Sequence, residues 1–395
     1  MRRLLSYLLV CSFLLLAGGL TGRAQITRHY GVAAGSPEDK ALTEIGATED
    51  PAQKLALLDK FMSDFGQNSD LAIVGNELYL EVYVAQKNTA KIYEYGDKIL
   101  AADPDNFDAA VTLTRVASDA GDTEKIYAYA EKAGQIVLRY KAVPAPAGTD
   151  VPAWKEERQN ALQQDLPSIA YVEYSFYNSA IATKDMNQRA DLLKRFIAAF
   201  PDSDYVEQAE MLIPASYQQA QNFPKMVESA QAILAKDPNN VDVLLLLADF
   251  YSDNGQHLDD AETYAKKALD VLASAKRPDS MSDADWQKQT TVQKGLAWSI
   301  QGYVDLSRKL NAQAVTVLQT AAPLLKDNPF AYARNQYRLG FAFVNLKRNS
   351  DAFQAFTDAA SVDTAYRPLA QQKLDELKKA GVGSAPRRPP AHNPS

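Results

Sequence analysis

Apolar residues recur at intervals of three and four along most of the chain, and no alternating pattern persists for more than a few residues. Ala352, Phe356 and Ala359 illustrate this pattern, because spacings of four and three place their side chains on one helix face. Four prolines each follow an apolar stretch of this kind: Pro104, Pro201, Pro238 and Pro329. Since proline interrupts a helix, the pattern predicts an all-α chain of helices separated by turns.

A long sequence unit occurs twice. Leu100–Gly121 and Leu234–Gly255 are identical at ten of 22 positions, at an offset of 134 residues. With further matches on either side, this offset predicts two larger units near residues 52–185 and 186–320, and a partial third copy that ends near 380. Both copies contain the string D-P-x-N, which predicts the end of one helix and the cap of the next.

A shorter motif near the C-terminus resembles the tetratricopeptide repeat consensus. Its residues are Leu339, Gly340 and Phe343 on one predicted helix, then Ala352, Phe356 and Ala359 on the next. The resemblance implies a right-handed α-solenoid of antiparallel helical hairpins, with about 7–8 hairpins over residues 51–380. Small residues let the helices of a hairpin approach closely. We therefore expect Gly340 to face Ala352 and Phe356.

Three segments depart from the repeat pattern. Lys141–Pro152 reads KAVPAPAGTDVP and predicts an inserted loop. Residues 25–50 are expected to form a flexible N-terminal segment, because their first half is poor in large apolar residues. Residues 381–395 are rich in proline and are expected to form a disordered tail.

The N-terminus has the pattern of a secretory signal peptide in residues 1–24. Arg2 and Arg3 precede an apolar run, Leu4–Leu20, and Gly22-Arg23-Ala24 presents small residues at the cleavage-reading positions. Cleavage is expected before Gln25, leaving no transmembrane segment in the mature chain. Two alternatives remain: the run is retained as a membrane anchor, or the chain is a lipoprotein processed before Cys11.

Composition limits the cellular compartment and the class of binding partner that we expect for this protein. Loss of residues 1–24 removes three arginines and moves the formal charge from −7 to −10, so nucleic acid is not an expected partner. The only cysteine is Cys11, so the mature chain has no disulfide, and it also lacks an N-x-[ST] acceptor. These features favour an exported bacterial protein, either periplasmic or on the cell surface.

Few groups are available for catalysis. The three histidines are His29, His257 and His392. His257 with Asp259, Asp260 and Glu262 is the one cluster that suggests a metal, but acids in a first helical turn favour the positive end of the helix dipole. The string from Asp103 to Asp108 lacks the glycine of a calcium loop. No catalytic residue, metal site or cofactor is predicted.

The resemblance implies a protein- or peptide-binding surface on the concave face, which the first helix of each hairpin forms. Residues in the corresponding positions are Arg115, Asp119, Asp249, Asp253, Tyr303, Arg334, Tyr337 and Phe341, with Glu77, Glu81, Ser307 and Asn345. Tyr337 and Phe341 stand where a carboxylate clamp for chaperone C-termini would have lysine and asparagine, which disfavours a chaperone cofactor.

These features predict a non-enzymatic interaction scaffold in the bacterial cell envelope. Its acidic middle and aromatic C-terminal part would suit a basic or mixed partner segment. The alternative is a ligand-binding component, for a sugar or a peptide, or an enzymatic component whose site the sequence does not reveal.

The predicted cleavage is directly testable. The mass of the intact exported protein should correspond to a chain that begins at Gln25, because the signal peptidase reads the small residues before it. A mass that retains Met1, or a lipid attached to Cys11, would contradict the prediction.

Overall fold

A computed structural model describes residues 26–255 and 257–382. The predicted signal peptide, its cleavage point before Gln25 and residues 383–395 of the predicted tail lie outside the described residues. The described residues form helices and turns without a β-strand, so the all-α prediction is confirmed. They make two compact units, unit 1 and unit 2, which divide between Ala209 and Glu210.

The helices of unit 1 are α1 (Pro37–Ala47), α2 (Pro51–Phe65), α3 (Ser69–Ala85), α4 (Thr89–Ala102), α5 (Phe107–Ala120), α6 (Thr123–Ala142), α7 (Val151–Ala182) and α8 (Met186–Ala199). The boundary between the units falls within α9 (Val206–Gln219). The remaining helices of unit 2 are α10 (Phe223–Lys236), α11 (Val241–Asp253), α12 (Leu258–Ser274), α13 (Asp283–Ser307), α14 (Asn311–Leu324), α15 (Pro329–Asn345), α16 (Asn349–Ala360) and α17 (Tyr366–Lys379).

Consecutive helices pack as antiparallel hairpins. In unit 1, α3 contacts α4 and α5 contacts α6; in unit 2, α11 contacts α12, α13 contacts α14 and α15 contacts α16. The first helices of the hairpins also contact one another: α5 contacts α7, and α13 contacts both α11 and α15. Each unit therefore contains a layer of first helices, as expected where repeats stack on their neighbours. The last helix, α17, packs on α15 and α16.

The D-P-x-N strings lie at the boundaries between hairpins, as predicted. Asp103 and Asp237 end α4 and α10, and Asn106 and Asn240 cap α5 and α11. The Asn106 side chain accepts a hydrogen bond of 2.9 Å from the backbone N–H of Ala109. Asn240 accepts the equivalent bond from Val243 at 3.1 Å. These asparagines satisfy N–H groups that lack partners in the first turn of a helix.

Only some of the tight turns inside the hairpins use glycine. Gly121 ends α5 with a φ of 67°, a left-handed conformation that glycine adopts without steric cost. Lys87, Lys309 and Lys347 adopt it at other hairpin turns, with φ values of 54°, 64° and 58°. Because lysine gives no turn signal, the sequence pattern identifies fewer hairpin turns than the structure contains.

Close packing inside the C-terminal hairpin depends on Gly340, as the sequence predicts. A Cβ atom on Gly340 would lie 2.5 Å from the ring of Phe356, well inside van der Waals contact. Phe356 and Ala352 are fully buried in the same core cluster. Gly302 has the equivalent role in the preceding hairpin, where a Cβ atom would lie 2.6 Å from Leu318.

Part of the stretch over residues 25–50, which is predicted to be flexible, is helical. Pro37–Ala47 forms α1, whose first turn is capped by a 3.1 Å hydrogen bond from the backbone N–H of Asp39 to Ser36. Ile45 is buried in a core cluster with Leu58. One buried isoleucine and a good helix cap stabilise this helix against α2, although the composition is poor in large apolar residues. The predicted inserted loop corresponds to residues 143–150, between α6 and α7.

The packing at Gly340 generates a stability prediction. Gly340→Leu should lower the free energy of unfolding by about 1–3 kcal/mol, because the added side chain must displace the Phe356 ring. Chemical denaturation of the purified variant measures this change. Gly46→Leu is the matched control, since a Cβ atom there meets no atom within 4 Å, and it should not destabilise the protein. Equal stability of the two variants would contradict the assignment of the core face.

Candidate functional site

In unit 2, charged side chains of α11 and α15 meet beside α13. Each of these three helices is the first helix of its hairpin. Asp249 and Asp253 lie one turn apart on α11, and Arg334 and Arg338 lie one turn apart on α15. A spacing of four residues places each pair on one face of its helix. The pairs come together beside α13, which contacts both α11 and α15. We call these four residues the arginine–aspartate cluster.

Ion pairs connect the members of the cluster. The terminal nitrogens Nη1 and Nη2 of Arg334 lie 2.9 and 2.7 Å from Oδ2 and Oδ1 of Asp249, the forked geometry in which arginine binds carboxylate most strongly. Arg334 Nη1 also lies 3.5 Å from Asp253 Oδ2, and Arg338 donates to Oδ1 of Asp253. Two positive and two negative charges therefore compensate one another within the cluster.

Burial sets the electrostatics of these groups. Arg334 and Arg338 are only 7% and 5% exposed. Arg338 lies over the ring of Tyr303 on α13, with its Cζ atom 4.0 Å from the ring centroid, a cation–π geometry. Burial lowers the pKa of Arg338 and raises the pKa of Asp253, because desolvation disfavours the charged form of each.

The enclosed parts of the cluster cannot serve as a contact surface. Arg334 Nε and Arg338 Nη1 are inaccessible and have no hydrogen-bond partner among the described residues. Removing one member would leave an uncompensated buried charge, which is strongly destabilising. The cluster therefore acts as a brace that fixes α15 relative to α11.

Exposed aromatic and apolar side chains border this brace. Phe330, one turn before Arg334 on α15, is 50% exposed. Its ring meets that of Tyr366 on α17 edge to face, with the centroids 5.5 Å apart. Leu369 follows Tyr366 by three residues and is 44% exposed, so both lie on the same side of α17. We call Phe330, Tyr366 and Leu369 the aromatic ridge.

The structure brings together four of the residues predicted for partner binding: Asp249, Asp253, Tyr303 and Arg334. The sequence analysis did not predict Arg338, which completes the cluster, or Phe330, which lies one turn before Arg334 on α15. Both belong to a stripe of α15 with four-residue spacing, Phe330, Arg334 and Arg338, that was available in the sequence.

Tyr337 and Phe341, which are also predicted for partner binding, pack partly against neighbouring helices and remain predicted binding positions. The Tyr337 ring lies 5.6 Å from Phe356 and 5.6 Å from Tyr366, centroid to centroid. Phe341 lies 5.6 Å from Phe356. Both side chains are partly buried against the core cluster. The side of α15 that carries them faces α16 and α17, so their main contacts are internal.

Arg115 and Asp119 belong to unit 1 and are both exposed on α5. The Arg115 guanidinium lies over the ring of Tyr171 on α7, with its Cζ atom 4.3 Å from the centroid. This contact leaves the Asp119 carboxylate, one turn further along α5, on the surface. The two residues remain predicted binding positions of unit 1.

His257 occupies the hairpin turn before α12, with a φ of 60° and its Nδ1 3.3 Å from Oδ2 of Asp260. Within residues 26–255 and 257–382, no group of three or more His, Cys, Asp or Glu residues could hold a metal ion. None of the helices in this part of the chain is both long and apolar enough to cross a membrane.

Comparison with known proteins agrees with the hairpin architecture. Residues 230–263 match the tetratricopeptide repeat family; this stretch includes the second D-P-x-N string and both aspartates of the cluster. No curated protein matches the chain significantly. The resemblance to tetratricopeptide repeat proteins inferred from the sequence is thus confirmed.

Three solved structures are similar to this chain at low sequence identity. A chain of the APC/C hetero-tetramer Cut9–Hcn1 is 12% identical with a TM-score of 0.40, over 87% of this chain and 57% of that one. Yeast Tom70 is 12% identical with a TM-score of 0.37, over 90% and 68%. The P58(IPK) TPR domain is 13% identical with a TM-score of 0.31, over 88% and 99%.

The position of Tyr337 predicts a structural effect on substitution. Tyr337→Ala should lower the free energy of unfolding by roughly 2 kcal/mol, because it removes a ring packed on Phe356 and Tyr366. Phe330→Ala, at a half-exposed position of the same helix, should cost less than about 1 kcal/mol. Denaturant titration compares the two variants. A larger loss for Phe330→Ala would reverse the assignment of buried and exposed faces.

Proposed function

We propose that this tetratricopeptide-type array is a non-enzymatic scaffold that binds a protein or peptide partner through the first-helix layer of unit 2. Arrays of this type are typical protein-interaction scaffolds, because stacked helices present an extended surface of side chains. The observation that carries the proposal is the aromatic ridge, in which Phe330 and Leu369 are exposed beside the arginine–aspartate cluster.

The ridge has the composition of a binding surface. Aromatic residues and arginine are enriched at protein interfaces and dominate their energetic hot spots. Phe330 and Leu369 expose apolar area, and Tyr366 adds a ring with a polar edge. An apolar side chain of a partner would remove this area from water on binding.

The cluster beneath the ridge favours binding by keeping it in one conformation. Arg334 is held by Asp249, and its Cζ atom lies 5.9 Å from the centroid of the Phe330 ring. A surface that is fixed before binding loses less conformational entropy when the partner arrives. The two buried arginines of the cluster thus contribute to affinity through rigidity, without contacting the partner.

Charge favours a partner segment that is basic or mixed. Asp253 has a side chain that is 48% exposed, so part of its carboxylate faces solvent beside the ridge. A cation next to an apolar anchor would complement this arrangement. The chain as a whole carries a formal charge of −7, so we do not expect it to bind nucleic acid.

We place this scaffold in the bacterial cell envelope, in the periplasm or on the cell surface. The support is the N-terminal sequence, with its short basic region, apolar run and small residues before Gln25. Fractionation of the producing cells tests the location: recovery of the protein only in the cytoplasm would contradict it.

Partner binding is tested with two exposed positions of unit 2. Proteins crosslinked to the purified wild type in envelope extracts should be identified, and affinities then measured with the purified partner. Phe330→Ala should weaken binding at least about tenfold, as for an interface anchor. Leu310→Ala is the matched control, since Leu310 is 45% exposed at the turn between α13 and α14, and should leave affinity unchanged. Equal affinities for both variants would place the binding surface elsewhere.

A further inference from the structure

The first described residues of the chain contact α5 and α7 of unit 1 and lie near α3. Ile26 and Thr27 are 5% and 4% exposed although they lie outside any helix. Thr27 contacts α5, and Ile26 contacts α7. The next residues, His29 and Tyr30, come within electrostatic range of Glu77 on α3. We call Ile26–Tyr30 the N-terminal segment.

Two hydrogen bonds anchor this segment. The hydroxyl Oγ1 of Thr27 accepts a bond of 3.1 Å from the backbone N–H of Asp108, a group in the first turn of α5 that has no partner within its own helix. The backbone of Ile26 hydrogen-bonds to the Asp165 carboxylate on α7. The segment therefore caps one helix and binds an acidic side chain of another.

Acidic side chains line the cleft that receives the segment. Glu77 and Asp165 are partly buried, and burial raises the pKa of both, while His29 opposes that effect at each of them. Tyr30 lies near Asp103 and Asp70. The segment itself carries Arg28, whose guanidinium lies over the Tyr30 ring with its Cζ atom 4.8 Å from the centroid. A basic segment thus occupies an acidic cleft.

The connection between the segment and α1 is mostly exposed. Cβ atoms at Gly31 and Gly35 would meet nothing within 4 Å, and residues 33–35 are exposed. The helix α1 begins with its own cap at Ser36. The segment can therefore leave the cleft without unfolding a helix, because its anchoring contacts are separate from those that hold α1.

We propose that the cleft formed by α3, α5 and α7 is a peptide-binding site that the chain's own N-terminal segment occupies. The site takes an extended peptide with an aliphatic residue, then a hydroxyl residue that caps α5, then basic residues. An external peptide of this chemistry binds only when the segment is displaced. This surface is distinct from the aromatic ridge of unit 2, and the inference does not depend on the proposed function.

The test removes the occupant and supplies it in trans. A chain that begins at Ser36 and a chain that begins at Gln25 are compared for binding of a fluorescent peptide spanning residues 25–35, by anisotropy. The shorter chain should bind the peptide at least tenfold tighter than the longer one, in which the tethered segment competes at high effective concentration. Failure of the folded shorter chain to bind the peptide would overturn the proposal.

Two peptide variants separate specific binding from charge attraction. Thr27→Val keeps the shape but removes the oxygen that accepts the Asp108 N–H, and should weaken binding about tenfold. Ala34→Val changes the exposed connector and should bind like the wild-type peptide. Equal binding of the Thr27→Val peptide would overturn the assignment of Thr27 as the anchor.

A second measurement covers the case in which the shorter chain does not fold. In the longer chain, Thr27→Val should speed hydrogen exchange of the Asp108 amide at least tenfold, and added wild-type peptide should restore its protection. An unchanged exchange rate, or protection that the peptide does not restore, would contradict a displaceable occupant.

Discussion

The close approach of the two helices within a hairpin is the constraint on which the rest of this structure depends. Gly340 and Gly302 leave room for Phe356 and Leu318 directly against the backbone, so that a large side chain of one helix fills the space beside the other. Because the two helices of each hairpin lie close together, the first helices of neighbouring hairpins also contact one another. That layer is what allows side chains of α11 and α15 to meet beside α13.

The arginine–aspartate cluster shows how such a layer gains rigidity. Each arginine is buried, so its charge is stable only while an aspartate of another helix compensates it. Arg334 and Asp249, like Arg338 and Asp253, are separated by 85 residues in sequence. The pairing therefore couples the position of α15 to that of α11. These buried ion pairs also fix the position of Phe330 in the aromatic ridge, because Phe330 lies on α15.

The two units present different chemistry to a partner. In unit 2 the exposed surface is an apolar and aromatic ridge beside a compensated charge cluster, which suits a protein segment with an apolar anchor. In unit 1 the cleft is acidic, and a helix N-terminus contributes an N–H donor to Thr27. Recognition there depends on hydrogen-bond acceptors and basic side chains.

The sequence by itself determined the helical repeat and its punctuation, because these depend on local chemistry. Asparagine caps at Asn106 and Asn240 and the glycine opposite Phe356 act over one turn or one hairpin, and each was predicted correctly. Only the tertiary structure decided what each side of α15 contacts. Tyr337 and Phe341 pack partly against α16 and α17, whereas Arg338 pairs with Asp253 on α11. The contact of Thr27 with α5 could not be predicted from the sequence either. It joins residues 81 positions apart, and no local sequence pattern indicates a contact over that separation.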